Sequence, residues 1–160
     1  MPDRIANRLT AAIVILAALH PIPGIAAADI DGPGLASRVT HKEVAVAHVA
    51  LRESSSSSLR YRGRTRSQTF GRGRLSIRGH IRGSTLVASF AARSRLGRVK
   101  GVARITGGPT ASGDIKLSGT TRITGGTGRY AKARGHGSLR GKGPLDLSRA
   151  TLRQRGVVSY

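Results

Sequence analysis

Leu59-Arg60-Tyr61-Arg62-Gly63-Arg64-Thr65-Arg66 alternates without a break, with every arginine on an even position and every other residue on an odd one. A period of two sends successive side chains to opposite faces, which is the geometry of a β-strand. Residues 74–82 (RLSIRGHIR) continue in the same phase, and residues 114–123 (DIKLSGTTRI) keep it again. One face of each stretch is cationic or polar. The other carries Leu, Ile, Tyr, Thr and Gly. A disordered Arg-Gly tail has no reason to hold its leucines and isoleucines in phase, so the pattern reads as folded β-structure. That matters because composition alone leaves the question open. Leu, Ile, Val and Phe make up 21 of the 102 residues from 59 onward, close to the one-fifth level at which a highly charged chain is expected to stay unfolded.

Working outward from these stretches, the turn residues fall at regular intervals. Gly83 and Ser84, Leu96 and Gly97, Gly107 to Pro109, and Gly125 to Gly128 separate runs of a length typical of an all-β meander. The strands expected are 59–66, 72–82, 85–93, 98–105, 113–124, 136–142 and 150–159. Strands with one apolar face must stack or close on themselves, and closure also removes exposed edges. The fold class expected is therefore all-β, an antiparallel meander closing into a small seven- or eight-stranded barrel. Glycines at 73, 79, 101, 119, 137 and 141 lie in the inward phase, where they let a sheet coil and close, and they imply a narrow lumen. The octet at 101–108 (GVARITGG) recurs at 119–126 (GTTRITGG). That spacing reads as strand, turn and strand, which would put the same ending on successive up-strands.

Ahead of the barrel domain, 59–160, the character differs. Residues 1–28 read as a signal peptide: Arg4 and Arg8, an apolar run at 9–19, a break at Pro21 and Pro23, and a small-residue cleavage site at Ala26 to Ala28. The apolar run is too short to span a bilayer, so no transmembrane segment is expected in the mature chain, which would be secreted or associated with the cell envelope. Residues 29–58 read as a flexible N-terminal segment ending in a Ser-rich linker at 54–58. Within it, 44–51 (VAVAHVAL) is compatible with a short strand or with a turn of helix.

The stretch Ile123-Thr124-Gly125-Gly126-Thr127-Gly128-Arg129-Tyr130-Ala131-Lys132-Ala133-Arg134-Gly135 resembles the Gly-Gly-Thr-Gly-x-aromatic-x-x-Ala-x-Gly segment of dirigent and allene oxide cyclase-like barrels. It is similar also to uncharacterised secreted bacterial proteins that carry this segment late in a Gly- and Thr-rich meander. The similarity covers residues 70–160. It implies an eight-stranded antiparallel barrel, often oligomeric in the plant relatives, with Gly125, Gly126 and Gly128 shaping a structural turn and Tyr130 plugging the barrel end. Dirigent-type chemistry depends on acidic residues beside an apolar cavity. This chain has no acid between Glu53 and Asp114, and no catalytic carboxylate carries over.

Other chemistries are poorly provided for. There is no cysteine, which excludes disulfides, thiolate metal sites and cysteine nucleophiles. His41, His48, His80 and His136 have no metal-ligand spacing, and no cofactor is expected. Asp114 and Asp146 sit among cations that favour the ionised form, which suits a salt bridge better than a general acid. The glycines at 125–128 lack the ending of a phosphate loop, although backbone N–H groups beside Arg129 could accept an anion there.

What remains is charge. The chain carries 28 Lys and Arg, 23 of them Arg, against seven acids, a formal net charge of +21. Of these, 23 basic residues and only two acids lie from residue 59 onward. Arg60, Arg62, Arg64, Arg66, Arg72, Arg74, Arg78 and Arg82 share one parity and so one face, and Arg129 joins them as a candidate anion-binding residue. Guanidinium matches phosphate and sulfate oxygens bidentately, and such a face attracts polyanions. The expectation is a non-catalytic barrel that binds an anionic polymer or envelope surface. The alternative implied by the resemblance is a barrel that holds a small apolar ligand or acts as a cyclase-like protein. A third reading treats the arginine content as compositional, serving solubility alone. Sequence-specific nucleic-acid reading is not expected, because there is no recognition helix and only five aromatics. A homo-oligomer remains open.

Overall fold

Each alternating stretch is a strand, and the parity read from the sequence is the one the fold uses. The computed structural model describes residues 39–160. The signal peptide expected at 1–28 and the first ten residues of the N-terminal segment lie outside the described residues. Eight strands follow in order: β1 (Thr40–Ser54), β2 (Ser58–Ser67), β3 (Gly71–Arg82), β4 (Thr85–Ser94), β5 (Gly97–Pro109), β6 (Asp114–Gly128), β7 (Arg134–Pro144) and β8 (Arg149–Ser159). Every neighbour in sequence is an antiparallel neighbour in space, and β8 pairs with β1 to close the barrel. The fold is thus the expected meander, in its eight-stranded form.

Four sequence expectations are corrected by the register, and one left open is decided. Residues 44–51, open between strand and helix, lie in β1 and pair on both sides, with β2 and with β8. The barrel therefore begins at Thr40 rather than at residue 59, and the serine run ends β1, turns, and starts β2 instead of acting as a linker. Gly107, Gly108 and Pro109 are not a turn: they continue β5 opposite Leu117, Lys116 and Ile115. The repeated octets do not lie on successive up-strands. They sit on β5 and β6, adjacent and antiparallel, because these strands are 13 and 15 residues long.

Odd-numbered residues of β2 and β3 point inward, placing Leu59, Tyr61 and Ile77 in the core with Ile105, Ile115, Leu117, Leu139 and Leu152 from the other strands. Inward glycines let the strands pass close. A Cβ on Gly119 would lie 2.0 Å from the Arg104 carbonyl oxygen, and one on Gly63 would lie 1.9 Å from that of His48. The lumen is accordingly narrow. It holds two cavities of about 80 and 60 Å³, separated by a waist of Ile77, Ile105 and Leu152 that lines both.

Side chains pack across each end of the lumen. At one, Tyr130 is fully buried, with its ring edge-on to Phe70 (4.8 Å between centroids) and to Tyr160 (5.2 Å). At the other, the Tyr61 hydroxyl donates to the Leu147 carbonyl at 3.1 Å, and Leu147 takes a left-handed φ of 52° in the β7–β8 turn. Burial, with the nearby Asp146 carboxylate adding to it, pushes the Tyr61 phenol up to about 12 from its ordinary 10.0. The neutral phenol is thus favoured in the folded chain. Its contribution to stability is complete below pH 10 and is lost as the pH rises towards 12. Thermal melting from pH 9 to 12 should show a fall that is shallower in Tyr61→Phe. An identical fall in both proteins would mean that Tyr61 titrates normally.

Candidate anion-binding surface

The outward side chains acquire their arrangement from strand register. In one continuous row of facing residues, Lys116 of β6 stands opposite Lys142 of β7, then Thr151 of β8, His48 of β1, Arg64 of β2, Arg74 of β3, Arg93 of β4 and Arg98 of β5. The row re-enters β6 at Thr127, eleven residues along from Lys116. This stagger is the shear that tilts the strands of a closed barrel. Four arginines stand side by side on four consecutive strands, a pairing that sets neighbouring Cβ atoms about 5 Å apart. His48 and Thr151 are joined through Nδ1 and Oγ1 at 3.2 Å.

Below the β2–β5 arc of this row lies a shallow groove. Its floor is small: Ser76, Ser89, Ala91 and Val102. Its walls are Arg62, Arg74, Arg78, Arg93, Arg98 and Lys100. Facing residues explain the shape. The neighbouring row runs Arg62, Ser76, Ala91, Lys100, so two small side chains sit between two cations and beneath the longer arginines. A second groove follows the far arc, lined by Lys116, Arg140, Lys142 and Arg153 with Thr151 between them and Asp114 at its margin.

The residues named from sequence are divided by this geometry. Arg62, Arg64, Arg66, Arg72, Arg74 and Arg78 share one exposed wall, with Arg66 directly facing Arg72 and Arg64 facing Arg74. Arg60 is partly buried and its guanidinium donates to Glu53 at 2.8 Å, so its charge is already matched. Arg82 stands at the end of β3 beside the hairpin to β4, away from the groove. Arg129 is at the barrel end, 5.7 Å above the Tyr160 ring, a cation–π position that the row does not reach. Among the described residues, Arg60 alone of the arginines meets a carboxylate within ion-pair distance, and no arginine of the wall does.

Gly125, Gly126 and Gly128 occupy the last rungs of β6 opposite Lys100, Val99 and Gly97, with the turn proper following at 129–133. A bulge falls between Ile123 and Gly125. The N–H groups of this turn donate internally, Arg129 to Leu96, Tyr130 to Thr127 and Ala131 to Gly128. No backbone nest for an anion forms there. Asp146 accepts from the Ser148 N–H at 2.9 Å, which holds its carboxyl below the usual carboxylate range. It caps a turn and forms no salt bridge with a described residue.

Sequence reasoning missed Arg93, Arg98 and Lys100. None of them lies in a run of alternating arginines, and only register brings them beside Arg74. It also missed Glu43, a buried carboxylate that lines the larger cavity. Glu43 accepts from the Ser67 hydroxyl at 2.5 Å and from the Thr69 N–H at 3.1 Å, while Ser67 Oγ accepts from the Phe70 N–H at 2.8 Å. Both carboxylate oxygens are thus occupied in fixing the β2–β3 turn. Among the described residues, no three His, Asp or Glu side chains come together as a metal site would require. Compared with protein-family models, curated proteins and solved structures, the chain finds no match, and what can be concluded of it rests on the eight-stranded antiparallel barrel and its cationic surface.

Proposed function

We propose that the protein is an exported, non-catalytic binder of anionic polymers, acting through the guanidinium wall of β2–β5. One observation carries this reading: Arg64, Arg74, Arg93 and Arg98 face one another across four strands with no acid interleaved. Like charges directly opposite on a sheet are destabilising. A surface evolved for solubility alone gains nothing from that register, whereas a bound polyanion turns the same repulsion into attraction. Export rests on the pattern of residues 1–28, and it directs attention to phosphate-bearing polymers of the envelope.

The lumen offers less. Cavities of about 80 and 60 Å³ fall well below the roughly 300 Å³ at which small-molecule sites begin, so the dirigent- or cyclase-like reading has little room for a substrate. The one carboxylate found beside the larger cavity, Glu43, already has both oxygens engaged.

The test is binding of the purified protein to heparin and to duplex DNA across a salt series. Affinity for DNA should fall about 100-fold between 50 and 200 mM salt if some four phosphates are neutralised. Arg74→Gln and Arg93→Gln should each flatten the log–log slope by about one, while Arg82→Gln leaves it unchanged. The double variant should also melt at a higher temperature in low salt, because two facing charges are gone. Affinity independent of salt would overturn the proposal.

A further inference from the structure

We infer that the ligand is a flexible, single-stranded phosphodiester chain that follows the cationic row around the barrel, rather than a stiff duplex touching one side. This rests on the anion-binding reading above. The row is not confined to the β2–β5 wall. Arg64, Arg74, Arg93 and Arg98 on one arc and Lys116 and Lys142 on the other belong to the same line of facing residues, bridged by the polar pair His48 and Thr151. A groove lies along each arc, so the path is recessed on both sides of the molecule.

Curvature selects the occupant. A strand spacing of about 4.8 Å and a tilt of about 40° put the wall of an eight-stranded barrel roughly 8 Å from its axis. Duplex DNA bends appreciably only over a length on the order of 150 base pairs. It can lie on one arc and must leave the other empty. A single phosphodiester strand has no such stiffness and can meet guanidinium on β2–β5 and ammonium on β6–β7 together. The row itself carries no Phe, Tyr or Trp, its one imidazole, His48, is tied to Thr151, and Phe90 in the β2–β5 groove is half-buried, so contact would be to phosphates and not to stacked bases.

The experiment compares fluorescent dT30 with a 15-base-pair duplex of about equal phosphate number, each titrated across salt with the full protein and with the Lys116→Gln/Lys142→Gln variant. Both lysines are exposed, and an unchanged melting temperature checks that the variant folds. The slopes, divided by about 0.7 for the single strand and about 0.9 for the duplex, should report about six neutralised phosphates for dT30 and three to four for the duplex. The variant should lose about two with dT30 and none with the duplex. Long-chain inorganic polyphosphate should displace dT30, and failure to do so would show that bases are held and overturn the inference. Equal phosphate counts for both ligands, with a silent variant, would overturn wrapping while leaving a general polyanion binder. Salt-independent binding of both would remove the underlying reading as well.

Discussion

Tyr130→Ala should destabilise the barrel by about 4 kcal/mol. The side chain is 1% exposed and sits against Phe70, Tyr160, Val99, Ile123 and Val158. Removing a buried aromatic forfeits its transfer free energy and leaves a cavity, together about 3–5 kcal/mol. The two edge-on ring contacts add to this. The cap also cannot collapse to fill the void, since the turn at 129–133 is held by hydrogen bonds from Arg129 and Ala133 to Leu96 and Tyr130. Tyr130→Phe should behave in the opposite sense. The phenol oxygen is buried without a hydrogen-bond partner, so its removal should leave stability unchanged or raise it by about 1 kcal/mol. Guanidinium unfolding midpoints of the two variants would check both. If Tyr130→Phe lost as much as Tyr130→Ala, the hydroxyl would have to be engaged after all.

The second large effect is steric. Gly119 stands in the middle of β6, between Ile105 and Leu139 of the neighbouring strands. An added methyl would meet backbone on one side, the Arg104 carbonyl at 2.0 Å and the Ile105 Cα at 3.0 Å. No side chain can swing away to relieve that contact. The strands must separate, and in a closed barrel each separation is transmitted to the next pair. Gly119→Ala should therefore cost about 3 kcal/mol, at the upper end for overpacking. Gly71→Ala supplies the contrast: its φ of 71° is left-handed, but nothing lies within 4 Å of the added atom. Its cost should be about 1–2 kcal/mol, from conformation alone. Equal midpoints for the two variants would mean that the strands can part locally at no great expense.

How far the sequence discloses this fold depends on which faces differ. β2, β3, β5 and β6 were legible because arginine, lysine or polar residues alternate with apolar ones, so a period of two is visible. β1 was not. Its outward positions include Val44, Val46 and Ala50, as apolar as its inward Ala47 and Val49, and the contrast that marks a half-buried strand disappears. The outward valines lie between Arg155 and Arg153 of β8 and Arg66 of β2, a context no linear reading supplies. Glu43 escapes for the same reason, as an acid in the N-terminal segment whose pattern does not declare a strand. The candidate surface was half legible. Parity places Arg64 and Arg74 on an outer face, but that they face each other, and that Arg93 and Arg98 extend the line, depends on hairpin register. Gly125, Gly126 and Gly128 stand out in the sequence. Their place in the last rungs of a long strand, opposite Lys100, Val99 and Gly97, does not.

The pairing of β1 with β8 has a consequence in time. His48 finds its partner Thr151 only after about a hundred further residues have been made, which at 5–20 residues per second takes roughly 5–20 s. Seven strands can associate during that interval, each with the one before it, yet the sheet stays open. Its two free edges are ready to accept any passing strand, including the corresponding edge of a second copy. Deleting β8, Arg149–Ser159, would make that waiting state permanent, and the product would be expected in aggregates or exchanged dimers. The last strand to emerge is the one that turns a sticky ribbon into a sealed ring.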